Sequence, residues 1–195
     1  MYNFYKYNGK YIEGYLGEPE NFNGIVFLLK EPNNPGGADE FWFKNMLVSK
    51  EKYLSESAGS RNIFSKFKNR FSEMLGYLDE KAELENSIFC NVNPIYGDRE
   101  ATRSFYRELK NGKAELMLEY FSELKDNITV FACKEIYRHL LKSGMLNIKK
   151  EYAGLRYKNA TLGCFECEIK HTKVTVYEIY HPSRSSKIQK EKLCP

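Results

Sequence analysis

Residues 24–29 read Gly24-Ile25-Val26-Phe27-Leu28-Leu29, an apolar run without a break. A strand with one wet face alternates apolar and polar residues. A continuous run marks a strand covered on both faces, as in a parallel sheet. The run stops at Lys30-Glu31-Pro32-Asn33-Asn34-Pro35-Gly36-Gly37, where prolines and paired glycines forbid regular structure. Two more runs of this kind follow, Ser87–Val92 and Ile128–Cys133, and a last strand, Lys173–Tyr180, alternates around Val174, Val176 and Ile179.

Between these strands the apolar period changes to that of a helix. Residues 61–78 carry a stripe of Ile63, Phe64, Phe67, Phe71, Met74, Leu75 and Leu78. Residues 103–125 read as one amphipathic helix around Phe105, Leu109, Leu116, Tyr120 and Leu124, and Glu135–Leu141 as another. Asp39 can cap a short helix holding Phe41, Trp42, Phe43, Met46 and Leu47. Residues 152–171 look irregular, with a polar strand or hairpin near Thr161–Ile169, and the segment after Ser183 reads as a short helix. Strand–helix alternation predicts an α/β fold, a three-layer α-β-α sandwich around a mostly parallel four-stranded sheet. At the N-terminus, Asn8-Gly9 between aromatic runs is the signature of a type I′ hairpin turn. The first 23 residues are therefore read as a hairpin extension of a single domain spanning 1–195. Its tyrosines either pack on that domain or offer a stacking platform for bases.

A chain of 195 residues is long enough to bury a core. Its 15% aromatic content excludes wholesale disorder, and no apolar run reaches the ~20 residues of a membrane span. The N-terminal sequence lacks the basic start and apolar centre of a signal peptide. Five scattered cysteines do not form the even framework of a secreted disulfide protein. A reducing cytoplasm, a monomer and no membrane partner are expected. Cys164-Phe165-Glu166-Cys167 is the one CxxC, followed by His171, and no second CxxC completes a zinc site. Neither metal nor cofactor is expected, and His139, beside Leu140 and Leu141, reads as structural. The net charge of +4 permits a nucleic-acid partner without requiring one.

Ligands of open α/β sheets bind beyond the carboxyl ends of the strands. Here those ends hold Glu31 and a run of asparagines, then Asn91 and Asn93, then His181-Pro182-Ser183. Carboxamides offer a donor pair and an acceptor, suited to the edge of a planar heterocycle. Imidazole can steady a developing anion, and a carboxylate can orient water.

The stretch Val174-Thr175-Val176-Tyr177-Glu178-Ile179-Tyr180-His181-Pro182-Ser183-Arg184-Ser185-Ser186 resembles the second signature of the uracil-DNA glycosylase superfamily. The strand Ile88–Val92 is similar to the one whose asparagine reads the base edge, and residues 128–141 to the family's third strand–helix unit. The resemblance covers roughly residues 24–190. It implies a protein that binds DNA and hydrolyses the N-glycosidic bond of a damaged or deaminated base. His181 would face the base carbonyl and Asn91 the base edge, with Ser183 beside it. Arg184, Ser185 and Ser186 would lie against the DNA backbone. The first signature admits two registers. In one, Glu31 before Pro32 activates water; in the other, Asn34 before Pro35-Gly36 does so. Lys30 stands where the first register expects a small residue. Pro32 and Asn33 would line the base pocket, and Phe43, with Phe41 and Trp42 beside it, is the stacking candidate. A glycosylase-like module that only holds nucleic acid, and a hydrolase of free nucleosides using the same rim, are the competing readings. Basic residues after His181 (Arg184, Lys187, Lys190 and Lys192) and after the second strand (Arg99, Arg103, Arg107 and Lys110) are candidate phosphate contacts, or else solvated helix faces.

Overall fold

The run Ile25–Leu29 forms a strand buried along its whole length, in the middle of the sheet. In the computed structural model, the described residues are 2–7, 10–15, 21–30, 69–76, 84–93, 103–157 and 160–180. Their strands are β1 (Tyr2–Tyr7), β2 (Lys10–Tyr15), β3 (Ile25–Leu29), β4 (Ile88–Asn91), β5 (Ile128–Cys133), β6 (Asn147–Tyr157), β7 (Ala160–Ile169) and β8 (Thr172–Ile179). Their helices are α1 (69–76), α2 (Arg103–Lys110), α3 (Lys113–Leu124) and α4 (Lys134–Lys142).

All eight strands join one sheet, in the order β1-β2-β4-β3-β5-β8-β7-β6. The four strands expected from the apolar runs lie together as a parallel block, β4-β3-β5-β8. The sheet as a whole is mixed, which corrects the expectation of a mostly parallel, four-stranded one. On one side β2 pairs antiparallel with β4, so the N-terminal hairpin belongs to the sheet instead of lying apart from it. On the other side β8, β7 and β6 form an antiparallel meander. The polar strand expected near Thr161–Ile169 is β7, and the stretch before it, read as irregular, belongs to the long strand β6. Its sequence hid this because one face stays polar and two register shifts, at Ile148/Lys150 and Ala153/Arg156, interrupt the alternation of β6.

Cross-strand register sorts the side chains into two faces. Phe27 stands opposite both Phe89 and Phe131, stacked on them at 4.7 and 5.1 Å between ring centroids. Phe71 of α1 closes over this row, 4.7 Å from Phe27 and 5.0 Å from Phe89. On the reverse face, Val26, Leu28, Ile88, Val130, Ala132 and Val176 are fully or almost fully buried. There Tyr137 of α4 meets Phe165 of β7 at 5.3 Å, and His139 of α4 meets Glu115 of α3. Helices thus cover both faces of the parallel block.

The predicted helix 103–125 is two helices. Gly112 sits between them at φ 74°, a left-handed conformation that breaks the helical ladder. The turn at Asn8-Gly9, the short helix after Asp39 and the C-terminal segment lie outside the described residues. Among the described residues no helix is long and apolar enough to cross a membrane.

Two substitutions test this packing by urea unfolding. Phe27→Ala removes the ring at the centre of the stack and is expected to cost about 3–5 kcal/mol. Gly112→Ala forces a Cβ into left-handed backbone and is expected to cost about 1–2 kcal/mol.

Candidate functional site

In the parallel block the connection from β3 runs to β4 on one side, and the next strand, β5, lies on the other. This reversal makes the carboxyl ends of β3 and β5 a topological switch point, the place where such sheets bind ligands. The rim is ordered by backbone pairing that outlasts the strands. Val92 N–H donates to Leu29 O at 2.8 Å, and Asn93 N–H donates to Lys30 O at 2.9 Å.

Three residues at this rim carry polar chemistry. Asn91, opposite Leu29 in register, is only 6% exposed. Its carboxamide has no side-chain hydrogen bond among the described residues, yet its polar atoms are not sealed from solvent. A buried amide normally finds partners, so an open one at a strand end is a recognition group in waiting. Asn93 is engaged instead: its Nδ2 donates to Ser104 Oγ at 3.0 Å, tying the start of α2 to the end of β4. The Lys30 ammonium lies 3.4 Å from Glu135 Oε1, so the cation that departs from the small-residue pattern is held against α4. By strand alternation Lys30 belongs to the α4 face and Asn91 to the α1 face.

Beneath the rim, Cys133 ends β5. Burial pushes its thiol up to about 12, while the Lys30 cation pulls the other way. Burial also pushes the Cys164 and Cys167 thiols up, to about 11 and about 12, and raises that of Cys90 further. Cys164 and Cys167 lie opposite Tyr177 and Val174 respectively, on opposite faces of β7, and so cannot converge on one ion.

Sequence reading missed a second group at this rim. Tyr157 ends β6, and its ring meets Tyr180 edge-on at 4.9 Å. It is buried, and its hydroxyl lies beside the Tyr180 backbone without a well-formed hydrogen bond. Burial is the main cause that raises its phenol pKa, while the Arg70 charge of α1 acts in the opposite sense. Had 147–157 been read as a strand, Tyr157 would have fallen at the same end as Tyr180.

A cavity of about 370 Å³ opens elsewhere, where α3 and the 145–147 turn meet the end of β7. Two of its lining carboxylates lie near bases: Glu115 Oε1 is 3.1 Å from His139 Nε2, without a well-formed hydrogen bond, and Glu168 Oε2 is 3.7 Å from Lys149 Nζ. His139 is thus a half-buried helix-to-helix contact.

Of the residues proposed from sequence, Asn91 is described and stands at the rim. Glu31, Pro32, Asn33, Asn34, Phe43, His181, Ser183, Arg184, Ser185 and Ser186 lie outside the described residues. The described strands that lead into them, β3 and β8, are separated by β5 alone.

The thiol environments predict a reactivity pattern. In a Cys194→Ser chain, a thiol-reactive chromophore at about pH 8 is expected to find no fast-reacting group in the native state. Denaturation is expected to release all four remaining thiols, which are buried and unbridged in the fold.

No protein-family model, curated protein sequence or solved structure matches the chain, so its function is read from the geometry of this rim.

Proposed function

We propose that the protein is a DNA glycosylase-like hydrolase that cleaves the N-glycosidic bond of a deaminated or damaged base. In this reading the parallel block with helices on both faces is the glycosylase-like core of a three-layer domain. It acts as a monomer in a reducing cytoplasm. The observation that carries it is the Asn91 carboxamide, buried yet without a side-chain partner among the described residues, at the strand end next to the switch point.

The chemistry follows from the groups at the strand ends. A base in a duplex must leave the stack before its glycosidic bond can be reached. A carboxamide held by its strand reads a flipped pyrimidine or purine edge through one acceptor and a donor pair. Cleavage leaves negative charge on the base, which His181, two residues after β8 in the sequence, would stabilise. It leaves positive character on the sugar, which a water held by Glu31 or Asn34 would attack. Pro32, Asn33, Phe43 and Ser183 would shape the base pocket, and Arg184, Ser185 and Ser186 would hold the backbone. Lys30, paired with Glu135, would not add an unpaired charge beside that water.

Labelled oligonucleotides carrying uracil, hypoxanthine or xanthine, followed by alkaline cleavage of abasic sites, test this reading. Base release is expected from the wild type. Asn91→Ala and His181→Ala are each expected to lower the rate by about 10²–10³-fold. Glu31→Ala and Asn34→Ala separate the two registers, since only the water-holding residue should show a loss of that size. No release from any of these bases at high enzyme concentration overturns the reading for them.

A further inference from the structure

The short helix α2 carries a surface feature that base hydrolysis at the rim does not use. Phe105 and Leu109 are buried, at 0% and 4% exposure, and hold the helix down. Arg103, Tyr106, Arg107 and Lys110 are all exposed. Spacings of three and four place these four side chains on one side of the helix. From Arg103 to Lys110 is seven residue steps, or about 10 Å of helix at ~1.5 Å per residue.

Tyr106 is 53% exposed, and its ring makes a T-shaped contact with Phe105 at 5.2 Å. Arg103 and Lys110 have no ion-pair partner among the described residues. Arg107 meets Glu108 only at 4.0 Å and remains 68% exposed. Three cations thus stand against one carboxylate on this helix, with a half-exposed aromatic ring among them. The helix is pinned to the rim, because Asn93, the acceptor Ser104's donor, lies two residues beyond Asn91.

We infer that the exposed face of α2 is the track for a single-stranded DNA segment that leads to the Asn91 rim. Phosphates sit on Arg103, Arg107 and Lys110, and one base stacks on Tyr106. The choice of DNA rests on the glycosylase reading. The choice of a polyanionic strand with open bases rests on the charge imbalance and the half-exposed ring. Cationic grooves with interspersed aromatics bind single strands in this way, because every base offers a π-face.

Fluorescence anisotropy with a lesion-free, labelled oligothymidylate of about 12 nucleotides tests the track on the full chain. The slope of log K against log salt is expected to fall by about 2 in the triple variant Arg103→Gln/Arg107→Gln/Lys110→Gln, from ~0.7 per phosphate contact on single strands. Tyr106→Ala is expected to weaken binding about 10-fold while Tyr106→Phe retains it. All these side chains are exposed, so thermal midpoints should stay at the wild-type value, and this is measured alongside. No binding by the wild type, or an unchanged salt slope in the triple variant, overturns the track. So does tighter binding of a duplex of the same sequence with Tyr106→Ala silent. The base-release assay keeps the two ideas apart. Release without any effect of the α2 variants removes the track and leaves the hydrolase. A lowered slope without release from any base leaves the track and removes the hydrolase.

Discussion

The stacking of Phe27 between Phe89 and Phe131 is the contact on which the rest of the molecule depends. It joins three parallel strands that are distant in sequence, and it presents one continuous aromatic surface to Phe71 of α1. Each ring is fully buried, so each strand owes its depth in the sheet to the others. Parallel strands have no tight turn to set their register. Alternation does that work here: a slip by one residue would turn the phenylalanines onto the α4 face and bring valines and leucines under α1. The same register places Leu29 beside Asn91 and Ala132 beside Glu178, and so aligns the strand ends that make the rim.

The rim joins groups that have settled their electrostatics to one that has not. Lys30 and Glu135 satisfy each other, Asn93 is committed to Ser104, and the buried thiols are held in their neutral form. Asn91 stands apart as a carboxamide held by its backbone with its side chain still unengaged. Rigid support around a free recognition group is what a binding site needs, because little ordering remains to be done when the ligand arrives.

Continuous apolar runs were the legible part of the fold. Gly24–Leu29, Ser87–Val92 and Ile128–Cys133 are covered on both faces, and the residues say so directly. Position in the sheet was legible as well, in that the four strands read as parallel are neighbours. The long strand β6 of the meander was not, because one face of β7 and β6 carries Glu166, Glu168, Lys150 and Tyr152 and remains partly wet. Glu166 pairs with Lys173 at 2.8 Å and accepts from the Tyr152 hydroxyl at 3.2 Å, contacts invisible until register is known. The helix break at Gly112 was available in principle, since glycine within an amphipathic stretch is a warning, but the stripe continues on both sides of it. For the site, a polar residue closing an apolar run identified Asn91. Tyr157 was missed because its place depends on β6, whose alternation is broken by two bulges.

Those bulges have a consequence for the outer border of the sheet. The backbone of β6 is the last in the order, and a long unpaired strand is a template on which another molecule could build. Register shifts at Ile148/Lys150 and Ala153/Arg156 twist that template out of regular spacing twice within eleven residues. An incoming strand could keep its hydrogen-bond ladder over a few residues only, and would meet the exposed Lys149 and Lys150 as it did so. The irregularity that concealed β6 from a reading of the sequence thus also makes this border a poor template for growth of the sheet from one chain to the next.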